Sequence, residues 1–255
     1  MVHAHHMLTN GTRFAPTPTG ELHLGNMRTA LVTFLAAKKF GYRHILRMDD
    51  LDPLAVKSGA IAQQLDDLEW LGLTYDEGPR EGGSLGPYAQ SQRFEHYESC
   101  ITELNEMKLL YPCWCSRKEV LLATLAPHAS DEGPIYPGTC RPQKAEKIAN
   151  LSALPTRNGR VPALRINVAR ALSLLKKNTF VFADEVYGEQ QVSPLINYGD
   201  FVVRRKDGIA SYQLACAYDD HSMQCGLVLR GDDLLLSTGR QLLFFELFQW
   251  SQPAY

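Results

Sequence analysis

The chain has 255 residues, with 26 Lys plus Arg against 28 Asp plus Glu and a formal charge of −2. A composition of 45% hydrophobic and 21% charged residues, with 19 Gly and 14 Pro, excludes collagen-like, disordered and low-complexity classes. The near-neutral balance excludes a uniformly basic nucleic-acid coat while leaving a local basic face open, and the length suffices to bury roughly three quarters of the surface of the unfolded chain.

In chain order, Arg13–Ala15 reads as a strand stopped by Pro16 and Pro18. After a loop through Gly20, Leu24, Met27, Leu31, Phe34 and Leu35 are spaced as the buried stripe of a helix ending near Gly41. His44–Met48 is the next strand, and Ser58–Leu71 the next helix, with Ser58 as N-cap and Gly72 as stop. This alternation predicts an α/β fold with a parallel sheet covered by helices and ligands outside the carboxyl ends of its strands. Ser91–Lys108 predicts another amphipathic helix. Tyr111 to Pro142 then turns irregular and reads as an inserted module, with strands at Ala163–Val168 and Thr179–Ala183. Phe201–Arg204 leads into a hairpin turn at Lys206-Asp207-Gly208. The parallel pattern resumes around Ser211–Tyr218 and Leu227–Arg230, and a final helix runs from Ser237 or Thr238 to Trp250.

No window approaches the ~18 consecutive apolar residues of a membrane span. The start, MVHAHHMLTNGT, has neither a charged n-region nor an apolar h-region, so a soluble cytoplasmic protein without membrane partners is expected. His3, His5 and His6 lack Cys or acidic neighbours and read as terminal chain rather than a metal site.

The loop from Arg13 to Asn26 carries chemistry on its own residues. Gly20 and Gly25 allow a close backbone approach, and the helix that follows offers free N–H groups and a positive dipole end to an anion. His23 stands where it could donate to a phosphate. Cys113, Cys115 and Cys140 crowd into one stretch, and in a reducing compartment three thiols at such spacing point to a structural zinc ion. A fourth ligand is required; chemistry alone nominates His128, since imidazole is a commoner zinc ligand than phenolate. Cys100, Cys216 and Cys225 lie in apolar surroundings and read as buried hydrophobes. Arg204-Arg205-Lys206 and Lys176-Lys177 are the densest basic runs, either solvated faces or phosphate contacts.

Phe14-Ala-Pro-Thr-Pro-Thr-Gly-Glu-Leu-His-Leu-Gly-Asn26, followed by Leu46-Arg-Met-Asp-Asp-Leu-Asp-Pro53, resembles the catalytic core of glutamyl-type class I aminoacyl-tRNA synthetases, with His23-Leu-Gly25-Asn26 in place of the HIGH signature. Gln90-Ser-Gln-Arg93, Tyr111-Pro-Cys-Trp-Cys-Ser-Arg117, Tyr136-Pro-Gly-Thr-Cys140 and Leu229-Arg230-Gly-Asp-Asp through Gln241 extend the likeness from Thr12 to Tyr255. The paired cysteines with Tyr-x-x-x-Cys, and Ser-Thr-x-Arg-Gln after Arg-Gly-Asp-Asp, resemble the glutamyl-queuosine tRNA(Asp) synthetases, a group of truncated paralogues.

That resemblance implies a class I Rossmann catalytic domain split over residues 10–110 and 196–255, an inserted zinc-binding, acceptor-type subdomain at 111–195, and no anticodon-binding domain. It implies a monomer that activates glutamate with ATP, accompanied by Mg2+, without help from tRNA, then esterifies it onto queuosine in the anticodon of tRNA(Asp). By the same resemblance Arg13, Phe14, Ala15, Pro16 and Thr17 form the glutamate-binding stretch, Tyr212 adds a phenol and Arg230 a second cation. The spacing alone leaves Arg230 as a surface ion pair with Asp232 or Asp233. Asp49 falls where the family carries Glu as partner of the substrate ammonium; one methylene fewer shortens the reach by ~1.5 Å, so the role is expected to survive with changed geometry, with Asp50 and Asp52 as alternatives. His23, Gly25 and Asn26 are expected to hold the ATP phosphates. Tyr136 is nominated as the fourth metal ligand beside Cys113, Cys115 and Cys140, with His128 in reserve. The family's Lys-rich loop of KMSKS type is not among these residues; in relatives it falls shortly after the position of Tyr255. A catalytic fragment of a glutamyl-tRNA synthetase and a non-catalytic amino-acid or nucleotide sensor are the competing functions.

Overall fold

The computed structural model describes residues 10–123 and 135–255. His3, His5, His6 and His128 lie outside them.

Eight strands and eight α-helices follow one another as β1 (Gly11–Phe14), α1 (Leu24–Phe40), β2 (Arg43–Leu46), α2 (Ala60–Trp70), α3 (Phe94–Glu106), β3 (Leu110–Cys113), α4 (Arg117–Ala123), β4 (Ala163–Ile166), α5 (Val168–Leu175), β5 (Phe180–Asp184), β6 (Gly188–Val192), α6 (Pro194–Asn197), β7 (Val202–Arg204), α7 (Tyr212–Ser222), β8 (Cys225–Leu227) and α8 (Leu235–Leu247) among the described residues. Short 3-10 turns at Gln90–Gln92 and Asp232–Leu234 precede α3 and α8.

The expected parallel sheet has the order β2-β1-β8, with Phe14 opposite Leu46 and Thr12 opposite Leu227. Strand periodicity covers both of its faces: Ile45 joins the core built from α3, α5, α7 and α8, while its neighbour Leu46 joins Phe14, Leu22 and Leu68 beneath α1 and α2. Three further parallel bridges, Ile45 to Glu77, Met48 to Ala89 and Leu227 to Ala254, extend the sheet. A separate antiparallel sheet has the order β3-β4-β7, so β7 returns from the second half of the chain to complete it, and β5-β6 is a hairpin.

Several sequence expectations shift. The buried seam of α1 is Ala30, Thr33 and Ala37, with Met27 and Phe34 partly covered, whereas Leu24, Leu31 and Leu35 are exposed. Small residues let the helix lie close on β1, and this proximity selects a face about one position away from the bulky stripe. Ser58 is not the N-cap of α2; Gly59 takes that position at φ 75°, and no side chain caps it. Ser211–Tyr218 is not strand: Ser211 caps α7 through Leu214 N, and the next strand is Cys225–Leu227, just ahead of Leu227–Arg230. The final helix begins at Leu235, before Ser237.

Candidate active site

The site is built where β1 and β2 end. The loop after β1 is pinned by backbone bonds from Arg47 N to Phe14 O (3.0 Å), Asp49 N to Pro16 O (2.9 Å) and Lys57 N to Pro18 O (3.1 Å). Gln64 of α2 donates to Gly20 O at 2.7 Å. Gly20 adopts φ 155°, a conformation side chains resist, and a Cβ on Gly25 would meet the His23 ring at 2.9 Å.

That loop delivers His23 to the N-cap of α1. Its Nδ1 accepts from Gly25 N at 3.1 Å and Asn26 N at 3.4 Å, while Asn26 Oδ1 accepts from His23 N at 3.2 Å. An imidazole nitrogen that accepts carries no proton, so the neutral ring presents Nε2–H as a donor at the positive end of the helix.

Arg13 and Arg47 project from the ends of neighbouring parallel strands into a set of buried ions that sequence reasoning missed. Arg13 Nε donates to Asp220 Oδ1 at 2.9 Å; Arg47 is fully buried and reaches Asp49 at 2.7 Å, Asp220 at 2.8 Å and Asp219 at 3.8 Å. Arg93 pairs with Asp219 at 2.7 Å, and Tyr97 and Gln90 each donate to Asp219 at 2.9 Å. Three arginines thus meet three aspartates with their hydrogen bonds largely satisfied, the condition under which buried charge is tolerable. The signal lay in α7: Tyr212, Cys216, Asp219 and Asp220 recur at i, i+4, i+7 and i+8, one stripe beside Leu214, Ala215 and Ala217.

The environment separates the aspartates. Burial raises the Asp49 carboxyl against the pull of Arg47. Burial acts in the same sense on Asp220, but there Arg13 and Arg47 prevail and hold it below the usual carboxylate range. Asp49 also receives the Cys216 thiol at 3.4 Å. Asp50 and Asp52 are committed elsewhere, Asp50 to Ser91 (N at 2.8 Å, Oγ at 2.6 Å) and Asp52 to Arg205 at 2.6 Å.

Tyr212 stands at the start of α7 with part of its side chain reaching solvent, and several of the predicted residues act on its phenol. Cys216, burial and Asp49 push its phenol up, while Arg230 and Arg13 pull it down. Arg230 makes no ion pair with Asp232 or Asp233. It donates to Gln241 Oε1 at 2.8 Å and to Thr238 Oγ1, and lies 5.2 Å from the Tyr255 ring centroid, so its partners among the described residues are neutral.

The cysteine cluster lies apart from this pocket, between β3 and the segment at Tyr136. The Sγ atoms of Cys113, Cys115 and Cys140 lie within 4.8 Å of one another, with Cys115 and Cys140 at 3.6 Å. Tyr136 Oη is 3.5 Å from Cys113 Sγ and 3.7 Å from Cys115 Sγ. Tetrahedral ligands at the usual Zn–S distance stand about 3.8 Å apart, so these four donor atoms fit one ion. Burial pushes the Cys115 thiol up to about 11 without a cation, as expected where thiols need a positive charge to ionise together. Arg165 supplies one: its Nε donates to Cys113 Sγ at 3.3 Å and its guanidinium stacks 3.9 Å from the Tyr136 ring centroid. Buried Asp200 joins this cluster to the body, accepting from Tyr111 Oη at 2.5 Å, Arg141 Nε at 2.6 Å and Val168 N at 2.9 Å.

Parts of the basic runs are tied down, while Lys176 and Lys206 stay exposed. Arg204 turns inward to Glu98 and Leu151 O, Arg205 is held by Asp52 and Asp207, and Lys177 by Glu246. Cys100, Cys216 and Cys225 are buried, as expected. Among the described residues no helix is long and apolar enough to cross a membrane.

A parallel sheet with helices on both faces, an N-capping histidine at the first helix and buried charges at the strand ends define a class I synthetase-type catalytic domain. The chain belongs to the family described as tRNA synthetases class I (E and Q), catalytic domain, which matches residues 11–255, and it therefore carries the catalytic domain of a ligase. It is 44% identical over 244 residues to a glutamyl-Q tRNA(Asp) synthetase of Symbiobacterium thermophilum and 40% identical over 243 residues to one of Nitratidesulfovibrio vulgaris, covering 95% of this chain and 72% of each relative. A glutamate–tRNA ligase of Alkalilimnicola ehrlichii is 44% identical over 245 residues, 96% of this chain and 49% of that protein. Among solved structures, a glutamate–tRNA synthetase from Elizabethkingia anophelis superposes with a TM-score of 0.75 at 28% identity, over 96% of this chain and 49% of that one. The chain thus spans about half the length of the glutamate–tRNA ligases it matches.

Proposed function

We propose that this chain activates glutamate with ATP in the absence of tRNA and transfers it to queuosine in tRNA(Asp). What supports the reading is that Arg13 donates to Leu229 O at 3.1 Å, next to Arg230, and that Asp49, Arg230 and Arg13 all act on the Tyr212 phenol. Arginine forks suit the two carboxylates of glutamate, and Asp49 suits the ammonium. Phe14 to Thr17 form the wall, their backbone fixed by Arg47 N and Asp49 N.

An oxygen of the glutamate α-carboxylate attacks the α-phosphorus of ATP, forming the mixed anhydride and expelling pyrophosphate. No covalent enzyme intermediate is needed, and catalysis is positioning plus electrostatics. His23 Nε2–H and the amides at Gly25 and Asn26 hold the phosphates, and Mg2+ travels with ATP. A hydroxyl of queuosine then attacks the anhydride carbonyl and releases AMP. Asp49 keeps its role with a new geometry, its carboxylate shared between the ammonium and Arg47.

Cys113, Cys115, Tyr136 and Cys140 would hold zinc, the ion that thiolate-rich tetrahedral sites select, which would supply structural closure of residues 111–195 as an inserted subdomain of a catalytic domain made of 10–110 and 196–255.

Charging of purified tRNA(Asp) decides between the readings. Glutamate is expected on queuosine-containing tRNA(Asp) and not on queuosine-free tRNA(Asp) or tRNA(Glu). Charging of tRNA(Glu) would make the chain a glutamyl-tRNA synthetase fragment, and glutamate and ATP binding without adenylate would make it a sensor.

A further inference from the structure

The Ser237-Thr238-Gly239-Arg240-Gln241 run at the start of α8 has no part in the reading above, yet two of its side chains hold Arg230. Gln241 and Thr238 are each 1% exposed, so contact with bulk water does not orient them. Gln241 Oε1 accepts from Arg230 Nη1 and Thr238 Oγ1 from Nη2, which leaves each terminal nitrogen a second N–H. A guanidinium only donates. The Gln241 amide is therefore fixed with its oxygen toward Arg230 and its NH2 turned elsewhere.

That NH2 is a buried donor with no hydrogen-bond partner among the described residues. Buried donors are normally satisfied, and an orphan beside a cation calls for an acceptor of negative charge. Arg230 has the matching deficiency. Arg13, Arg47 and Arg93 each have an aspartate, whereas the partners of Arg230 are an amide, a hydroxyl and an aromatic ring.

We propose that Gln241 is a glutamate-binding residue: its Oε1, together with Thr238, sets the Arg230 fork, and its Nε2 donates to the same substrate carboxylate that Arg230 grips. The proposal rests on the glutamate reading and adds a residue to it. It gives the Ser-Thr-x-Arg-Gln motif a physical task, since Thr238 and Gln241, three residues apart, lie on one face of α8.

Calorimetric titration of the 255-residue chain with glutamate and, separately, ATP tests it in wild type, Gln241→Met and Gln241→Glu. The Met variant removes both the acceptor and the donor, and the glutamate Kd is expected to rise about 10- to 100-fold, the loss of one hydrogen bond to a charged group, with ATP affinity unchanged. The Glu variant still offers Arg230 an oxygen but replaces the donor by a repelling charge; it should keep the wild-type melting temperature and lose glutamate binding. Glutamate affinity unchanged in the Glu variant, or equal weakening toward glutamate and ATP in both variants, overturns the proposal. If the Met variant does not fold, the Glu variant decides alone. Wild-type protein that binds no glutamate would overturn the glutamate reading itself, whereas wild-type binding with insensitive variants overturns only the role of Gln241.

Discussion

Arg47 touches more of the buried aspartates than any other arginine of the candidate site. It is fully buried and touches three aspartates; its removal strands Asp49, which has no other ion-pair partner among the described residues, and leaves Asp220 with Arg13 alone. Arg47→Met is expected to cost about 3–5 kcal/mol in urea denaturation; a loss below about 1 kcal/mol would show the cluster to be solvated. His23 predicts the opposite combination. Its ring is exposed and only caps a helix, so His23→Ala should lower stability by about 1 kcal/mol while abolishing adenylate formation. Unchanged turnover would remove it from the phosphate site. The contrast explains what was legible at this scale. Arg13, His23, Asp49 and Arg230 stand in recognisable motifs with roles the resemblance supplies; Arg47 stands in one too, beside Asp49, but only the tertiary pairing of its strand end with α7 reveals it as the hub.

Among the elements, periodicity located α1 and placed Met27 and Phe34 on its covered side, yet set Leu24, Leu31 and Leu35 there wrongly. Leu24, Leu31 and Leu35 outweigh Ala30 and Ala37 in any hydrophobic count, but the sheet selects the residues that allow close approach. The cysteine module was read from spacing, and its cation was not, because Arg165 comes from β4, far along the chain. Arg165→Met should weaken zinc binding, measured by competition with a chromophoric chelator, and Arg165→Lys should restore part of it; equal affinities in all three proteins would make the stacking incidental. The last helices supply a pH prediction. His221 stacks 4.7 Å from Trp250, and burial lowers its pKa below 6.5. A histidine held neutral in the fold gives its full stability above its unfolded pKa and loses it as pH falls toward the folded value. Melting temperature should therefore decline as pH drops below 6.5, less steeply in His221→Phe; identical profiles would deny the residue that part.

For the whole molecule, a parallel sheet covered by helices followed from the alternation of strands and helices, since such crossovers favour parallel pairing, whereas the strand order β2-β1-β8 did not. The second sheet was not legible. Strand β7 joins β4 across 36 residues of sequence, from Ile166 to Val202, and no local pattern encodes that partner. The consequence is functional: β7 ties the cysteine-bearing half to the residues leading into α7, and Asp200 bonds both. Zinc removal should then lower the melting temperature of the protein as a single transition, whereas an independent early transition would indicate a separately folding module. The most direct test of the whole account is ATP–pyrophosphate exchange by this chain with each amino acid in turn and no tRNA present. Exchange that depends on glutamate, is absent with glutamine or aspartate and disappears in Arg230→Met is the predicted result. No exchange with glutamate until tRNA is added, or the same rate with glutamine, would contradict it.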